Sequence, residues 1–229
     1  MDHEAIVRVL AGFVRHKTHR GRTGAPSTLP EQRNDLEIAH DLSGPELSAD
    51  IQAAIEVLAR RPKRPENRRL DLRHASLARL SLRHFEFESP PRLEWMFLTR
   101  ADLRNADLRG VVMKGSILSS ADMCFAWLSD ARCDRAVMYR VDLRGTMLNK
   151  ATFVETSLDG ADLRETTGLT AQQLASAFID AETRLPDHLV HDPWVTARLA
   201  DCVAWAEGNH TKTCPPPTPQ PQLPTSASI

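Results

Sequence analysis

Residues 101–110 read Ala-Asp-Leu-Arg-Asn-Ala-Asp-Leu-Arg-Gly, which is one five-residue unit occurring twice in succession. Stepping by five from Leu103 in both directions meets an apolar residue each time from Leu72 to Leu163, with a one-residue shift between Phe87 and Leu93. A second series of uncharged residues, often alanine, lies two positions earlier. The predicted repeat core includes Leu72, Leu77, Leu98, Leu103, Leu108, Leu118, Leu128, Leu143, Leu148, Leu158 and Leu163.

A period of five fits neither a helix nor a flat strand. Five residues advance about 500° around an α-helix, and an odd spacing alternates between the two faces of a strand. The apolar residues converge only if the backbone turns once in every unit. Four such sides make a coil of about 20 residues, and coils stacked as parallel strands repeat every ~4.8 Å. Residues n and n+20 should therefore stack vertically, and residues n and n+10 should lie on opposite sides.

The units Ala-Asp-Leu-Arg-Asn, Ala-Asp-Leu-Arg-Gly and Gly-Ala-Asp-Leu-Arg, which lie within residues 70–165, resemble those of the pentapeptide-repeat family. The resemblance implies a β solenoid, a right-handed quadrilateral β-helix, with flanking α-helices. Residues 1–69 and 166–186 are similar to segments that flank the repeat in some bacterial members. The family also includes proteins that bind DNA gyrase and resemble the DNA duplex in shape and negative charge.

The N-terminal segment, residues 1–69, reads as two helices and a basic linker. A helix over 2–16 is predicted to bury one stripe, and a second over 49–60 to begin at the N-cap Ser48. The stripes are Ile6, Val9, Leu10, Phe13 and Val14 in the first helix and Ile51, Ala54, Ile55 and Leu58 in the second. The linker 60–69 is either a solvated connector or a patch for nucleic acid or an acidic partner. The segment is either a separate domain or a cap on the rod.

Residues 166–209 are predicted to form a C-terminal helical cap. Thr170 and Gln173 make a capping box, and Asp192 is an N-cap before a further helix. The apolar stripe expected on that helix is Trp194, Val195, Leu199, Cys202 and Val203. The tail 210–229 is rich in Pro, Thr and Ser, a composition typical of disorder.

Composition excludes several classes of protein. The net charge is −1 and aromatic residues make up 5%, which argues against a nucleic-acid partner. Four cysteines do not make a disulfide scaffold. The sequence has no apolar run long enough for a membrane span and begins without a signal-peptide pattern, so a cytoplasmic protein is expected.

No grouping of residues indicates catalysis, a cofactor or a metal. The pairs His16/His19 and His188/His191 have no third and fourth ligand at zinc spacing. Cys133 occupies an inward position, and Cys124 is predicted to point outward. The sequence therefore predicts a protein that is not an enzyme and binds no cofactor and no metal.

The outer surface of the rod carries the candidate interaction residues. Stacking by 20 predicts an aspartate ladder, Asp102, Asp122, Asp142 and Asp162, with Arg83, Arg104, Cys124, Arg144 and Arg164 beside it. It also predicts two apolar stripes on opposite sides. These are Phe97, Ile117 and Val137, and Trp127 and Met147 with Phe125 close by. One of the stripes is expected to be covered by a flanking helix.

These features favour a non-enzymatic scaffold that mediates protein–protein interaction. The partner is either another, unidentified protein or a second copy of this chain. The alternative is a DNA-mimic modulator of DNA gyrase. That alternative is weakened because residues 70–165 hold as many basic as acidic side chains, so the rod is neutral overall.

Overall fold

The structure is a computed structural model that describes residues 3–19, 46–61, 69–83 and 87–208. Two helices come first, α1 (His3–His19) and α2 (Ala49–Ala59). Two short strands, β1 (Leu70–Asp71) and β2 (Met96–Phe97), pair in parallel at the start of the repeat. Three further helices, α3 (Ala171–Leu174), α4 (Asp187–Val190) and α5 (Pro193–Gly208), follow it.

The backbone turns once per unit, as the period predicts. In almost every unit the residue two positions after the inward side chain has a positive φ, for example Asn105 at 55° and Gly145 at 65°. This left-handed conformation redirects the chain, and glycine adopts it without a Cβ clash. Most of these corners nevertheless carry other residues, among them Phe125 and Arg140.

Parallel β-bridges join successive coils into four columns. The aspartate column runs Asp102–Asp122–Asp142–Asp162, and the Trp127 column runs Asp107–Trp127–Met147–Thr167. The Ile117 column runs Asp71–Phe97–Ile117–Val137–Ser157–Phe178, and the Arg132 column runs Arg92–Val112–Arg132–Thr152. The predicted stacking of residue n on residue n+20 is therefore observed along all four columns. Every residue of the predicted repeat core is buried.

The first coil corrects the predicted one-residue shift. Leu70 pairs with Met96 and Ser76 with Asp102, an offset of 26 residues against 20 in the later coils. Phe87 therefore takes no position in the four columns, and the first coil exceeds the expected offset of 21 residues by five. Phe87 is only partly buried, and the Arg60 guanidinium lies 4.9 Å from the centroid of its ring. The apolar pattern does not reveal this insertion, because Phe87 is apolar and follows Leu82 at the five-residue spacing.

The two N-terminal helices pack on each other and on the start of the rod. The Ala59 carbonyl of α2 accepts a hydrogen bond from the Arg92 amide at 2.9 Å. The predicted stripe of α2 is buried, although the Ser48 side chain makes no capping bond to the helix. Of the predicted stripe of α1, Val14 is buried and Leu10 is partly buried against the core, and the rest of the prediction is wrong. The buried residues of α1 are Val7, Ala11, Val14 and Thr18, whereas Ile6, Val9 and Phe13 are exposed.

The bridges continue past residue 165, where the sequence places the boundary between repeat and cap. Met147 pairs with Thr167, Ser157 with Phe178 and Asp162 with Arg184. The capping box of α3 is present, and Asp192 Oδ1 accepts the amide of Trp194 at 2.8 Å. On α5, Val195 and Cys202 are buried as predicted, and Val203 is exposed.

The sequence reading missed Arg198, the largest fully buried side chain of the described residues. Its Nε donates to the Ala177 carbonyl at 2.7 Å at the C-terminal end of the rod. The guanidinium therefore satisfies a backbone acceptor in the last coil.

Candidate functional site

At most of the outward column positions that hold aspartate, the carboxylate forms a two-pronged ion pair with the arginine two residues later. We call this arrangement a clip. Arg104 Nε donates to Asp102 Oδ1 at 2.9 Å and its Nη2 to Oδ2 at 2.8 Å. The same two-pronged contact recurs in Asp71–Arg73, Asp107–Arg109, Asp142–Arg144 and Asp162–Arg164. Each exposed pair contributes only ~0–1 kcal/mol to stability. The more important consequence is that each clipped aspartate is presented to solvent as part of a neutral ion pair.

Arg83 is not beside the aspartate column, where the sequence places it. Its Nε donates to Asp107 Oδ2 at 3.0 Å, at the foot of the Trp127 column. The cause is the extra chain around Phe87, which shifts the first coil by one whole side relative to the expected register.

The clip is interrupted once, because Cys124 stands where the other units of this column carry arginine. Cys124 is on the outer side of the tube, where the sequence places it, but it is buried. The Arg144 guanidinium lies across it, with Nη2 3.9 Å from Sγ. Burial and the neighbouring Asp122 and Asp142 raise the pKa of the thiol far above its usual value.

Asp122 consequently lacks a clip of its own. The Nε of Arg104, which already holds Asp102, is 3.6 Å from Asp122 Oδ2. Partial burial, followed by the charges of Asp142 and Asp102, raises the pKa of Asp122 above its ordinary value of 3.8. At neutral pH this carboxylate is held ionised at a cost in folding free energy.

We expect Asp122→Asn to stabilise the protein at pH 7. A carboxyl with a raised pKa in the folded state opposes folding above that pKa, and the penalty disappears as the pH falls through it. Because the Asp122 side chain is 37% exposed, the gain in unfolding free energy should be no more than about 0.5 kcal/mol, and it should vanish near pH 3. Urea denaturation of both proteins at the two pH values measures it. Asp102→Asn is the matched control, since it removes a clipped carboxylate and should destabilise at pH 7.

Asp122, Cys124 and Asp142 hold their ligand atoms within 4.8 Å of one another. The arrangement is poorly suited to a cation, because the Arg144 guanidinium already binds the Asp142 carboxylate and lies against the sulfur. A raised thiol pKa also disfavours the thiolate that a metal requires. Of the histidine pair His188/His191, His188 places its Nε2 3.0 Å from the Leu169 carbonyl oxygen, within hydrogen-bond distance.

The Trp127 column carries two large apolar side chains that are open to solvent. Trp127 is 43% exposed and Met147, directly above it, is 42% exposed. Arg109 lies over the indole ring, 4.7 Å from its centroid. Phe125, at the neighbouring corner, packs its ring over Gly145, where a Cβ would overlap it. The column is thus a small aromatic platform held in a rigid frame.

The Ile117 column is the second apolar stripe. Phe97 and Ile117 are half-buried, and Val137 and its neighbour Tyr139 are about 40% exposed. Arg69 and Arg73 lie over the Phe97 ring, at 5.7 and 5.6 Å from its centroid. The stripe is therefore cationic at its N-terminal end and apolar at its centre.

The flanking helices leave the exposed part of both stripes open, which corrects the expectation that one is covered. Among the described residues, α1 packs on α2 and on β1, and α5 packs on α3 and α4. At the two ends of the Ile117 column, Arg15 of α1 bonds to Asp71 at 2.5 Å, and the ring of Trp205 in α5 lies 5.4 Å from that of Phe178. None of the helices in the described ranges is both long and apolar enough to cross a membrane.

The family model described as pentapeptide repeats matches residues 98–132 and 126–165, with eight copies. A comparison with curated proteins finds no match. Among solved structures, a pentapeptide repeat protein from the thylakoid lumen of Arabidopsis thaliana is 22% identical, with 42% of this chain covering 63% of that one and a TM-score of 0.29. The matched part thus spans less than two thirds of that protein.

Two further solved structures are similar to the chain. The cyanobacterial protein Rfr23 from Cyanothece is 19% identical, covers 50% of this chain and 90% of its own, and has a TM-score of 0.28. QnrB1, a plasmid-mediated fluoroquinolone resistance protein, is 14% identical over 59% of this chain and 85% of its own, with a TM-score of 0.27. Such low TM-scores add no argument to the geometry described above. The repeat match and the stacked five-residue units together show that residues 98–165 belong to the pentapeptide-repeat family.

Proposed function

We propose that this chain is a non-enzymatic scaffold that binds another protein through the Trp127 column, on a right-handed quadrilateral β-helix. The observation that carries the proposal is the vertical pair of Trp127 and Met147, each more than two-fifths exposed on a flat, rigid face. Large apolar side chains left open to solvent in this way are typical of protein-binding surfaces.

The surroundings of the pair support such a role. Tryptophan and arginine are enriched among residues that dominate binding energy, and here Arg109 stacks on Trp127. Arg109 is itself fixed by its two bonds to Asp107, at 2.9 and 2.7 Å. The platform is therefore ordered before a partner arrives, which lowers the entropic cost of binding.

Affinity capture from the native host with single-site variants tests the proposal. The protein is immobilised as wild type, as Trp127→Glu and as Val154→Glu, which alters a comparably exposed residue beside the Arg132 column. A partner that binds the wild type and Val154→Glu, but binds Trp127→Glu at least tenfold more weakly, supports the proposal. Equal capture by all three, or loss with Val154→Glu alone, contradicts it.

The alternative function, a DNA mimic directed at gyrase, requires a negatively charged face. The clips neutralise the aspartate column, and Asp122 is its one carboxylate without an arginine of its own. We therefore expect purified protein at micromolar concentration to leave gyrase supercoiling unchanged. Inhibition or protection of gyrase at that concentration would favour the alternative.

A further inference from the structure

The Ile117 column lies at the centre of a face whose two ends carry opposite charge. Two rungs of the column lie below Ile117, at Asp71 and Phe97, and three lie above it, at Val137, Ser157 and Phe178. The flanking positions follow the same rungs, so Arg69 and Arg73 mark the bottom of the face. Glu155 and Asp159 flank the second rung above Ile117, which is the counterpart of the Asp71 rung below it.

The lower half is basic and the upper half acidic. Below Ile117, the face carries Arg69, Arg73 and Arg100 against the single carboxylate Asp71. Above it, four carboxylates stand against two arginines: Glu155, Asp159, Asp180 and Glu182 against Arg135 and Arg140. Glu182 bonds to Arg140 at 3.2 Å, and Asp180 accepts the amide of Gly160 at 2.8 Å, which places both at the upper edge.

We propose that this face pairs with the same face of a second copy of the chain, with the two rods antiparallel and a two-fold axis passing beside Ile117. The inference goes beyond the proposed partner-binding function, which uses the opposite side of the rod. A two-fold pairing is self-complementary, so a residue one rung below the axis meets the residue one rung above it in the other copy.

The rung positions make the antiparallel pair complementary in charge and in polarity. Arg73, which also bonds to Asp71, comes opposite Asp159. Arg69 comes opposite Glu155, which also accepts from Arg135 at 2.5 Å. Phe97 comes opposite Val137, and Ile117 meets itself at the centre of the apolar contact. These relations follow from the column order and need no movement of the backbone.

One opposed pair carries like charge. Arg100 comes opposite Arg140, whose charge is already paired with Glu182 at 3.2 Å. A parallel arrangement is worse, because it sets the arginine-rich ends of both copies side by side. It would also place the apolar column of one copy against Thr99 and Ser119 of the other. Electrostatics therefore selects the antiparallel orientation.

The size of the face fixes the strength of the association. The five paired rungs at ~4.8 Å span about 20 Å, and one side of the tube is narrow, so the buried area is below the ~800 Å² per partner of a standard interface. The pair should accordingly be a reversible dimer with a dissociation constant in the range of about 10–100 μM. Added salt should weaken it, because the charged pairs are exposed.

Sedimentation equilibrium of the full chain from about 5 to 500 μM, in low salt and in 0.5 M NaCl, measures the association. We expect a monomer–dimer equilibrium that Ile117→Asp shifts at least tenfold toward monomer, whereas Met147→Asp on the opposite face leaves it unchanged. Arg73→Glu and Asp159→Arg should each weaken the dimer, and the double variant should restore it. Circular dichroism of each variant checks that the fold is intact.

A disulfide trap tests the position of the two-fold axis. In a Cys214→Ser background, Ile117→Cys should form a symmetric crosslinked dimer on mild oxidation, and Met147→Cys should not; the cysteines at 124, 133 and 202 are buried. A wild-type chain that stays monomeric at 500 μM overturns the proposal. So does a dimer that Met147→Asp disrupts and Ile117→Asp leaves intact, which would place the interface on the opposite face.

Discussion

Leu118→Asp should unfold the rod at 25 °C. Leu118 is fully buried, and its amide bonds to the Val137 carbonyl of the next coil at 2.7 Å, so the side chain points into the interior of the tube. The substitution loses the burial of a leucine, ~3 kcal/mol or more, and adds the cost of an unpaired buried carboxyl. Together these approach the ~5–15 kcal/mol that stabilises a typical domain. Far-UV circular dichroism and urea titration measure the loss.

Ser119→Asp is the matched control, since it places the same charge one residue later on the outside of the coil. We expect its unfolding free energy to lie within about 0.5 kcal/mol of the wild type. Similar stability for the two variants would mean that residue 118 does not face the interior, and the assignment of inward and outward positions would be wrong.

Gly145→Ala should destabilise the rod by about 2–4 kcal/mol. Gly145 has φ 65°, where a Cβ costs ~1 kcal/mol, and the added methyl would overlap the ring of Phe125. The ring lies over this corner from the coil below, so the two residues form one packing unit. The measurement is the unfolding free energy of the single variants and of the double variant with Phe125→Ala.

The double variant separates the two causes. With the ring removed, Gly145→Ala should cost only the ~1 kcal/mol of the backbone term, which leaves a coupling energy of at least 1 kcal/mol between the two sites. Additive effects of Gly145→Ala and Phe125→Ala would show that the ring does not pack on the corner.

The repeat could be predicted from the sequence because its signal is purely local. A period of five allows inward convergence only if the chain turns in every unit, and this fixes which residues stack. Phe97, Ile117 and Val137 therefore fall in one column, and Asp102, Asp122, Asp142 and Asp162 in another, as expected. The columns carry both candidate interaction stripes, so their placement on opposite sides also followed from spacing alone.

Other features depend on contacts that no spacing reveals. Phe87 fits the apolar period yet lies in extra chain, because the register there is set by hydrogen bonds between Leu77 and Asp102 and between Leu82 and Asp107. On α1, Val7 and Ala11 face inward, whereas Ile6 and Val9 are exposed. The reason is that α1 packs on α2 through the side that carries Val7 and Ala11, and spacing along the helix does not predict which side this is.

Cys124 shows a third limit of the sequence reading. Its position after an inward Met123 correctly predicts that it leaves the tube on the outer side. Its burial comes from Arg144, which reaches back one coil while holding Asp142. Residue spacing alone does not predict that a long side chain covers a residue in the neighbouring coil.

The stacking of coils can be measured directly through hydrogen bonds by NMR. In the structure, the Leu103 amide donates to the Asp122 carbonyl at 2.7 Å and the Met123 amide to the Asp142 carbonyl at 2.8 Å. Scalar couplings across these bonds in a long-range HNCO spectrum of the deuterated protein identify each acceptor. The stacked coil predicts correlations from Leu103 to Asp122 and from Met123 to Asp142. Correlations to carbonyls four residues earlier, or at another offset, would contradict it.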